Sequence, residues 1–184
     1  MASPFGHGVL GLCVAELATG RRPLRSWPWY LYILFTANAP DLDFVPGFFI
    51  GDMNRYHHTG SHSLFAAFLF GWLSGLIIWR FTKHPVAIGV IGGLVYIAHL
   101  VGDYFAQDPE APFGIPIFWP FLNEYYISPI PFISNITHGD FGEDNISVIS
   151  DIFSLHNLMA VGLEAIMFVP LLLVCVWIAR RTKI

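Results

Sequence analysis

Apolar residues fill five stretches of the chain, and short polar segments separate them. The stretches cover residues 5–18, 27–39, 63–81, 86–101 and 155–179. The third and fifth are near or above the roughly 20 residues that cross a bilayer as a helix, whereas the first two are clearly shorter. Pro40 ends the second stretch, because the residue before a proline is kept out of the helical conformation. The pattern predicts an all-α, multi-pass transmembrane bundle of about five hydrophobic helices, the first two of them short.

Composition favours lipid as the surrounding solvent. Hydrophobic residues make up 55% of the 184 positions and charged residues only 12%, about half of the roughly 25% typical of soluble domains. The net charge of −4 gives no reason to expect nucleic acid as a partner. We therefore expect one integral-membrane domain, residues 1–184, whose partners are membrane lipids and a small or lipid-linked substrate.

Basic residues predict the orientation, because loops rich in Lys and Arg stay in the cytoplasm. If five helices cross alternately, Arg55 falls on one side and the other basic residues fall on the opposite side: Arg21, Arg22, Arg25, Arg80, Lys83, Arg180, Arg181 and Lys183. This places the C-terminus in the cytoplasm and residues 41–60 and 104–154 outside, in a cell (inner) membrane. The second of these segments is rich in Pro, Gly and aromatic residues, and we expect it to form an external lid.

Ionisable residues gather at one end of the predicted bundle. They stand at the ends of four apolar stretches and comprise His7, Asp41, Asp43, His57, His62, His99 and Asp103. All of them map to the external end of the predicted topology. Ionisable groups beside hydrocarbon are costly and tend to be functional, so the pattern indicates a site at the outer interface.

The spacing of these residues suits metal coordination. His99 and Asp103 are four apart and share one face of a helix. Asp41 and Asp43 are two apart in PDLD, which in an extended stretch would point both carboxylates the same way. Imidazole and carboxylate ligands favour zinc, with manganese or iron as alternatives. Seven candidate ligands exceed what one tetrahedral ion needs, so we expect one or two divalent ions, with a carboxylate of PDLD as a bridge between two.

Each group also has a purely structural explanation when it is taken alone. His99 and Asp103 could form a hydrogen-bonded pair, and PDLD could be a helix end with two solvated acids. His156 could be a further ligand or a residue that orients one, and His138 could cover the site or simply lie at the surface. For Glu164, inside the last apolar stretch, the alternatives are a role near the site and a hydrogen bond between helices.

Four motifs, PDLD, HHTGSHSL, HLVGD and GIPIFWPF, resemble in order and content the YdjM-like family of membrane-bound metal-dependent hydrolases. The likeness extends from His7 to Phe121. It implies that the seven ionisable residues take the family's metal positions, and that Ser61 and Ser63 support them. The family's Arg after the first His of the second motif is His58 here, so Arg55 is the remaining candidate for binding an anionic substrate.

The resemblance and the ligand types together predict hydrolysis of a phosphoester, with Asp41, Asp43 and His58 as catalytic groups. One alternative is a metal carrier or sensor without catalysis. Another is a metal-independent lipid phosphatase of the PAP2 type, because Arg22, the Gly-Ser-His at 60–62 and the pair His99 and Asp103 resemble its motifs. No Ser-Arg precedes His99 at the required distance, however, and Arg22 falls at the opposite end of the predicted bundle.

Overall fold

The computed structural model describes residues 1–20, 26–109, 112–139 and 142–181. The regular secondary structure in these ranges is helical. They contain isolated β-bridges but no strands. The α-helices are α1 (Pro4–Thr19), α2 (Trp27–Ala37), α3 (Phe44–Ile50), α4 (Leu64–Ile78), α5 (Pro85–Tyr104), α6 (Asn145–Ile152) and α7 (Leu155–Arg181). The all-α prediction is confirmed. Four of the basic residues that predict the orientation lie outside the described residues: Arg21, Arg22, Arg25 and Lys183.

Five of these helices fall on the five apolar stretches, but five membrane crossings are not confirmed. In the described ranges, α5 and α7 are long and apolar enough to cross a membrane. The turns at Met53–His62 and helix α4 would form a third span if the two are taken as one bent segment. The angle between them is 79°. At 1.5 Å per residue, α1 and α2 reach about 24 Å and 17 Å, short of the ~30 Å hydrocarbon core. The structure therefore has two or three candidate spans.

The first helix occupies the centre of the bundle, in contact with α2, α5 and α7. Its Val9 and Cys13 pack in one apolar cluster with Phe168 and Cys175 of α7. Both cysteines are free and buried. This packing fixes the start of α1, and therefore His7, against the end of α5.

Helices α4 and α5 pack through two glycine pairs spaced four residues apart. Gly71 and Gly75 of α4 face Gly89 and Gly93 of α5, an arrangement that lets backbones of membrane helices approach closely. A Cβ added at Gly71 would lie 2.7 Å from the Gly89 carbonyl oxygen. The close approach sets the position of α5, whose last turns carry His99 and Asp103.

Gly71→Ala should destabilise the protein by about 1–3 kcal/mol, because the new methyl group meets backbone that cannot rotate away. Gly162→Ala in α7 is the matched control, since a Cβ there has no neighbour within 4 Å. That change should leave stability unchanged or raise it by roughly 0.5–1 kcal/mol. Thermal unfolding in detergent measures both, and equal effects of the two substitutions would contradict the packing.

The described residues of the segment from 104 to 154 pack across the end of the bundle where His99 and Asp103 lie. The Leu64 amide donates to the Ile117 carbonyl oxygen at 2.9 Å, and the Asn54 amide group donates to the Gly139 carbonyl oxygen at 2.7 Å. The Ile136 amide donates to the Met1 carbonyl oxygen at 3.0 Å. These bonds attach the segment to the turns before α4 and to the start of the chain.

Candidate metal centre

Local structure brings the ionisable residues together from four parts of the chain. His7 lies in the first turns of α1, and Asp41 lies in a 3₁₀ turn, Pro40–Asp43, that follows α2. His62 ends a second 3₁₀ turn, Gly60–His62, just before α4. His99 and Asp103 lie in the last two turns of α5. All of these turns and helix ends meet at the same end of the bundle.

The sequence around His62 fixes the turn that presents it. The Thr59 hydroxyl donates to the Tyr56 carbonyl oxygen at 2.6 Å. Gly60 lies against the indole of Trp119, where a Cβ would come within 2.8 Å of the ring. Ser63 accepts from the Ala66 amide as the N-cap of α4. His62 is fully buried as a result.

Four donor atoms form a compact group, which we name the His/Asp centre: His62 Nε2, His99 Nε2, Asp41 Oδ1 and Asp103 Oδ2. The two nitrogens are 3.3 Å apart. Asp41 Oδ1 is 3.4 Å from the nitrogen of His62 and 3.5 Å from that of His99. Asp103 Oδ2 is 3.6 Å and 2.9 Å from the same nitrogens. Ligands of tetrahedral zinc with bonds of 2.0–2.2 Å are about 3.3–3.6 Å apart, and four of these five distances fall in that range.

Hydrogen bonds on the far side of each imidazole fix which nitrogen faces the centre. His99 Nδ1 is 2.8 Å from the Ala37 carbonyl oxygen, which can only accept, so Nδ1 carries the proton. His62 Nδ1 is 3.2 Å from Asp43 Oδ2, and the Ser61 hydroxyl donates to the same oxygen at 2.7 Å. When the rings are neutral, both Nε2 atoms therefore point lone pairs inward, and such outer hydrogen bonds are common behind metal-bound histidines.

With both rings neutral, as metal ligation requires, the centre consists of acceptor atoms that face each other without a donor. Neither carboxylate oxygen of Asp41 makes a hydrogen bond, and the same holds for Asp103 Oδ2, although all three atoms are buried. Such an arrangement is costly unless a positive charge lies among the acceptors. The residues therefore fit a divalent cation.

His7 extends the centre toward α1. Its ring stacks on that of His99 with 3.6 Å between centroids, and its Nε2 is 3.3 Å from Asp103 Oδ1. The same oxygen accepts from the Ala2 amide at 3.0 Å. Nitrogen and oxygen atoms of His7, Asp41 and His99 also lie within 4.8 Å of one another. His7 is placed where a ligand is expected, and its ligand role stays a prediction.

The expectation of an extended PDLD with parallel carboxylates is wrong. Residues Pro40–Asp43 form a 3₁₀ turn, in which positions two apart differ by about 240° around the axis. Asp41 faces the His/Asp centre, whereas Asp43 faces the outer nitrogens of His57 and His62, at 3.1 Å and 3.2 Å. The two carboxylates therefore approach opposite nitrogens of the same His62 ring, and Asp43 orients imidazoles from outside the centre.

Four other predicted residues lie away from the His/Asp centre. Ser63 caps α4, and Arg55 is exposed in the turn Met53–Tyr56. His156 is exposed, with Nε2 3.0 Å from the Asn135 carbonyl oxygen. Glu164 is buried, accepts from the Ser3 amide at 2.8 Å and bonds the Ser3 hydroxyl. Glu164 therefore anchors the start of α1. It makes a hydrogen bond between two segments, as the purely structural explanation of this residue predicted.

Two residues near the centre were missed by the sequence analysis or left open in it. His138 Nδ1 is 3.1 Å from Asn54 Oδ1, and its ring lies 5.0 Å from that of His57. Asp108 Oδ2 lies 3.7 Å from His58 Nδ1 and accepts from the Gly114 amide at 2.7 Å. Both come from the irregular segment after α5, where no periodicity marks which side chains turn inward.

Burial and neighbouring charge shift the pKa values here. In the metal-free protein, burial raises the pKa of Asp41, but the protonated imidazoles of His99 and His62 that face it lower the pKa by more, so the net pKa lies below its ordinary value. Burial lowers the pKa of His138 to about 4, and the nearby N-terminal amine acts in the same direction. Asp41 is thus an anion and His138 a neutral imidazole at neutral pH.

In the metal-free protein, the ring of His138 should stay neutral until the pH falls to about 4, well below its ordinary pKa of 6.5. An unfolded chain would take up this proton at higher pH, so the folded state should lose stability as the pH falls from 6.5 to 4. Ring-proton NMR in detergent micelles, with His138→Gln to assign the signal, measures the midpoint. A midpoint near 6.5 would contradict the burial of the ring.

The profile of a protein family described as the YdjM inner membrane protein matches residues 1–183. The chain belongs to this family. The match confirms the resemblance found in the motifs, and together with the apolar helices it supports a membrane location. No curated protein and no solved structure matches the chain. The description of the family names no metal ligand, so the case for a cation rests on the distances within the centre.

Proposed function

We propose that this protein is a membrane-bound metal-dependent hydrolase that cleaves a phosphoester of a small or lipid-linked substrate. The observation that supports it is the His/Asp centre, where two imidazole nitrogens lie 2.9–3.6 Å from two buried carboxylate oxygens that make no hydrogen bond. His62, His99, Asp41 and Asp103 would hold the divalent cation, with zinc favoured by the ligand types and manganese or iron as alternatives.

A bound divalent cation supplies a water whose pKa is near neutral and stabilises negative charge on a phosphoryl oxygen. The protein supplies the rest of the chemistry. Asp41 Oδ2 is buried and makes no hydrogen bond, so it is the atom we assign to accept the proton of the attacking water. Asp43 and Ser61 hold the His62 ring in the orientation that this chemistry needs.

The orientation in the membrane is part of the proposal. Arg80 and Lys83 precede Pro85, at the end of α5 opposite His99 and Asp103. Arg180 and Arg181 end α7. Because basic residues tend to mark the cytoplasmic side, we infer that the His/Asp centre lies at the non-cytoplasmic interface and the C-terminus in the cytoplasm.

An apolar groove between α4 and α5 supports a lipid-linked substrate. The groove has a volume of about 600 Å³ and runs from Leu64, past Gly71 and Trp72, to Trp79. Leu64 follows His62 by two residues, so the groove begins next to the centre. An acyl chain lying in it would bring its attached headgroup to the cation from the side, within the membrane.

The test is hydrolysis by the purified full chain in lipid nanodiscs, with phospholipids and a soluble phosphodiester offered as substrates. Wild type and the control His156→Ala should hydrolyse a phosphoester, a chelator should abolish the reaction, and added zinc or manganese should restore it. Asp103→Asn should be inactive. A higher rate with phospholipid than with the soluble ester would support the lipid-linked class.

Two results would overturn this function in different ways. Hydrolysis that persists both with chelator and in Asp103→Asn would favour metal-independent phosphatase chemistry. A protein that binds the cation but hydrolyses none of the phosphoesters would favour a metal carrier or sensor.

A further inference from the structure

Three imidazoles lie together on the outer side of the His/Asp centre. His57, His58 and His62 are 4%, 8% and 0% exposed, and the ring centroids of His57 and His58 are 4.1 Å apart. The rings of His57 and His58 lie 5.2 Å and 4.8 Å from that of His62. Each ring offers a nitrogen within 4.8 Å of the nitrogens offered by the other two.

The inner nitrogens of this group have no hydrogen-bond partner. His57 Nε2 and His58 Nε2 are both buried and unpaired. His57 Nδ1 lies 3.1 Å from Asp43 Oδ1, an acceptor, so Nδ1 carries the proton and Nε2 presents a lone pair. Unpaired polar atoms inside a protein are costly, and a cation next to both rings would satisfy them.

A carboxylate stands behind each of the two rings. Asp43 contacts His57, and Asp108 Oδ2 lies 3.7 Å from His58 Nδ1 while it accepts from the Gly114 amide at 2.7 Å. Carboxylates behind metal-bound histidines fix the ring and raise its basicity, and their removal typically lowers metal affinity about 10–100-fold. Asp43 stands behind both His57 and the His62 ring of the His/Asp centre, which makes the two groups adjacent.

The backbone at His58 is held in a conformation that histidine rarely adopts. Its φ is +54°. Among the residues that the structure describes, His58 is the only non-glycine residue with a positive φ. Such a conformation costs about 1–3 kcal/mol and persists where the surroundings require it, often at functional sites. Here it turns the ring inward, beside His57 and toward Asp108.

We propose that His57 Nε2 and His58 Nε2 hold a second cation beside the His62 ring, with Asp43 and Asp108 orienting the rings of His57 and His58. It rests on the proposed function, because His62 also belongs to the His/Asp centre. The second position is rich in nitrogen, whereas the first has two carboxylate ligands, so it should prefer zinc over manganese or magnesium. At the second position, His58 is a cation ligand and Asp108 is a positioning residue that acts through the His58 ring.

The test is zinc stoichiometry and affinity of the full chain in detergent, from elemental analysis after dialysis and from competition with a chromogenic chelator. His58→Gly is the sharpest variant, because glycine adopts a φ of +54° freely and should therefore preserve the fold. Wild type should bind two zinc ions per chain and His58→Gly one. Asp108→Asn should bind the second ion about 10–100-fold more weakly and leave the first unchanged.

The two proposals fail in distinguishable ways. If wild type and His58→Gly each bind one ion with equal affinity, the second position is overturned and the His/Asp centre stands. If wild type binds no zinc, the centre itself fails, and the second position fails with it. The His156→Ala variant controls for nonspecific binding by a surface imidazole.

Discussion

Asp103→Asn should lower the affinity for the divalent cation by ~100-fold or more, beyond the 10–100-fold typical of residues that only orient ligands. The carboxylate has Oδ2 2.9 Å from His99 Nε2 and Oδ1 3.3 Å from His7 Nε2. An amide is nearly the same shape but removes the negative charge and places a donor among acceptors. Metal content after purification and competition titration measure the change.

The matched control is Asp144→Asn. Asp144 is the exposed N-cap of α6 and accepts from the amides of Ile146 and Ser147. Asparagine caps a helix about as well as aspartate, so this variant should keep wild-type metal content and stability. Equal metal content in wild type and Asp103→Asn would show that the carboxylate is no ligand.

Glu164→Ala should destabilise the protein by roughly 2–5 kcal/mol, because it leaves the buried Ser3 amide and hydroxyl without their acceptor. The fully buried carboxylate fills the space beside Gly6, where a Cβ would clash with it. Ser3 is also the N-cap of α1 and accepts from the Gly6 amide. The loss should therefore loosen the turn that carries His7.

Glu164→Gln separates shape from charge. Its amide oxygen can still accept one of the two bonds from Ser3, so the loss of stability should be smaller than in the alanine variant. Chemical unfolding in detergent compares the two, with exposed Glu124→Ala as the surface control. A Glu164→Ala protein as stable as wild type would contradict the proposed anchoring of α1.

Helix positions were predictable because each of the five long helices coincides with an apolar stretch. The number of crossings was not, because it depends on where a helix bends and on how many of its residues are helical. The second apolar stretch, for example, continues to residue 39, but α2 ends at Ala37. The 79° bend before α4 arises at the turn that presents His62, which hydrophobicity does not record.

The site was partly predictable for a related reason. Ionisable residues at the ends of apolar stretches, such as His99 and Asp103, are costly to place beside hydrocarbon unless they pair with each other or bind a ligand. In the fold they converge. The direction of each side chain was harder to predict. A 3₁₀ turn instead of an extended strand sends Asp43 away from Asp41, and Asp108 lies in a segment whose sequence has no period.

We expect His62, His99, Asp41 and Asp103 to hold one divalent cation together. Zinc K-edge X-ray absorption of the His58→Gly protein, loaded with one ion per chain, tests it most directly. We expect about four nitrogen or oxygen neighbours at ~2.0–2.2 Å with the scattering pattern of two imidazoles, and we expect this pattern to be lost in Asp103→Asn. A shell of water oxygens without imidazole scattering, or sulfur neighbours at ~2.3 Å, would contradict it.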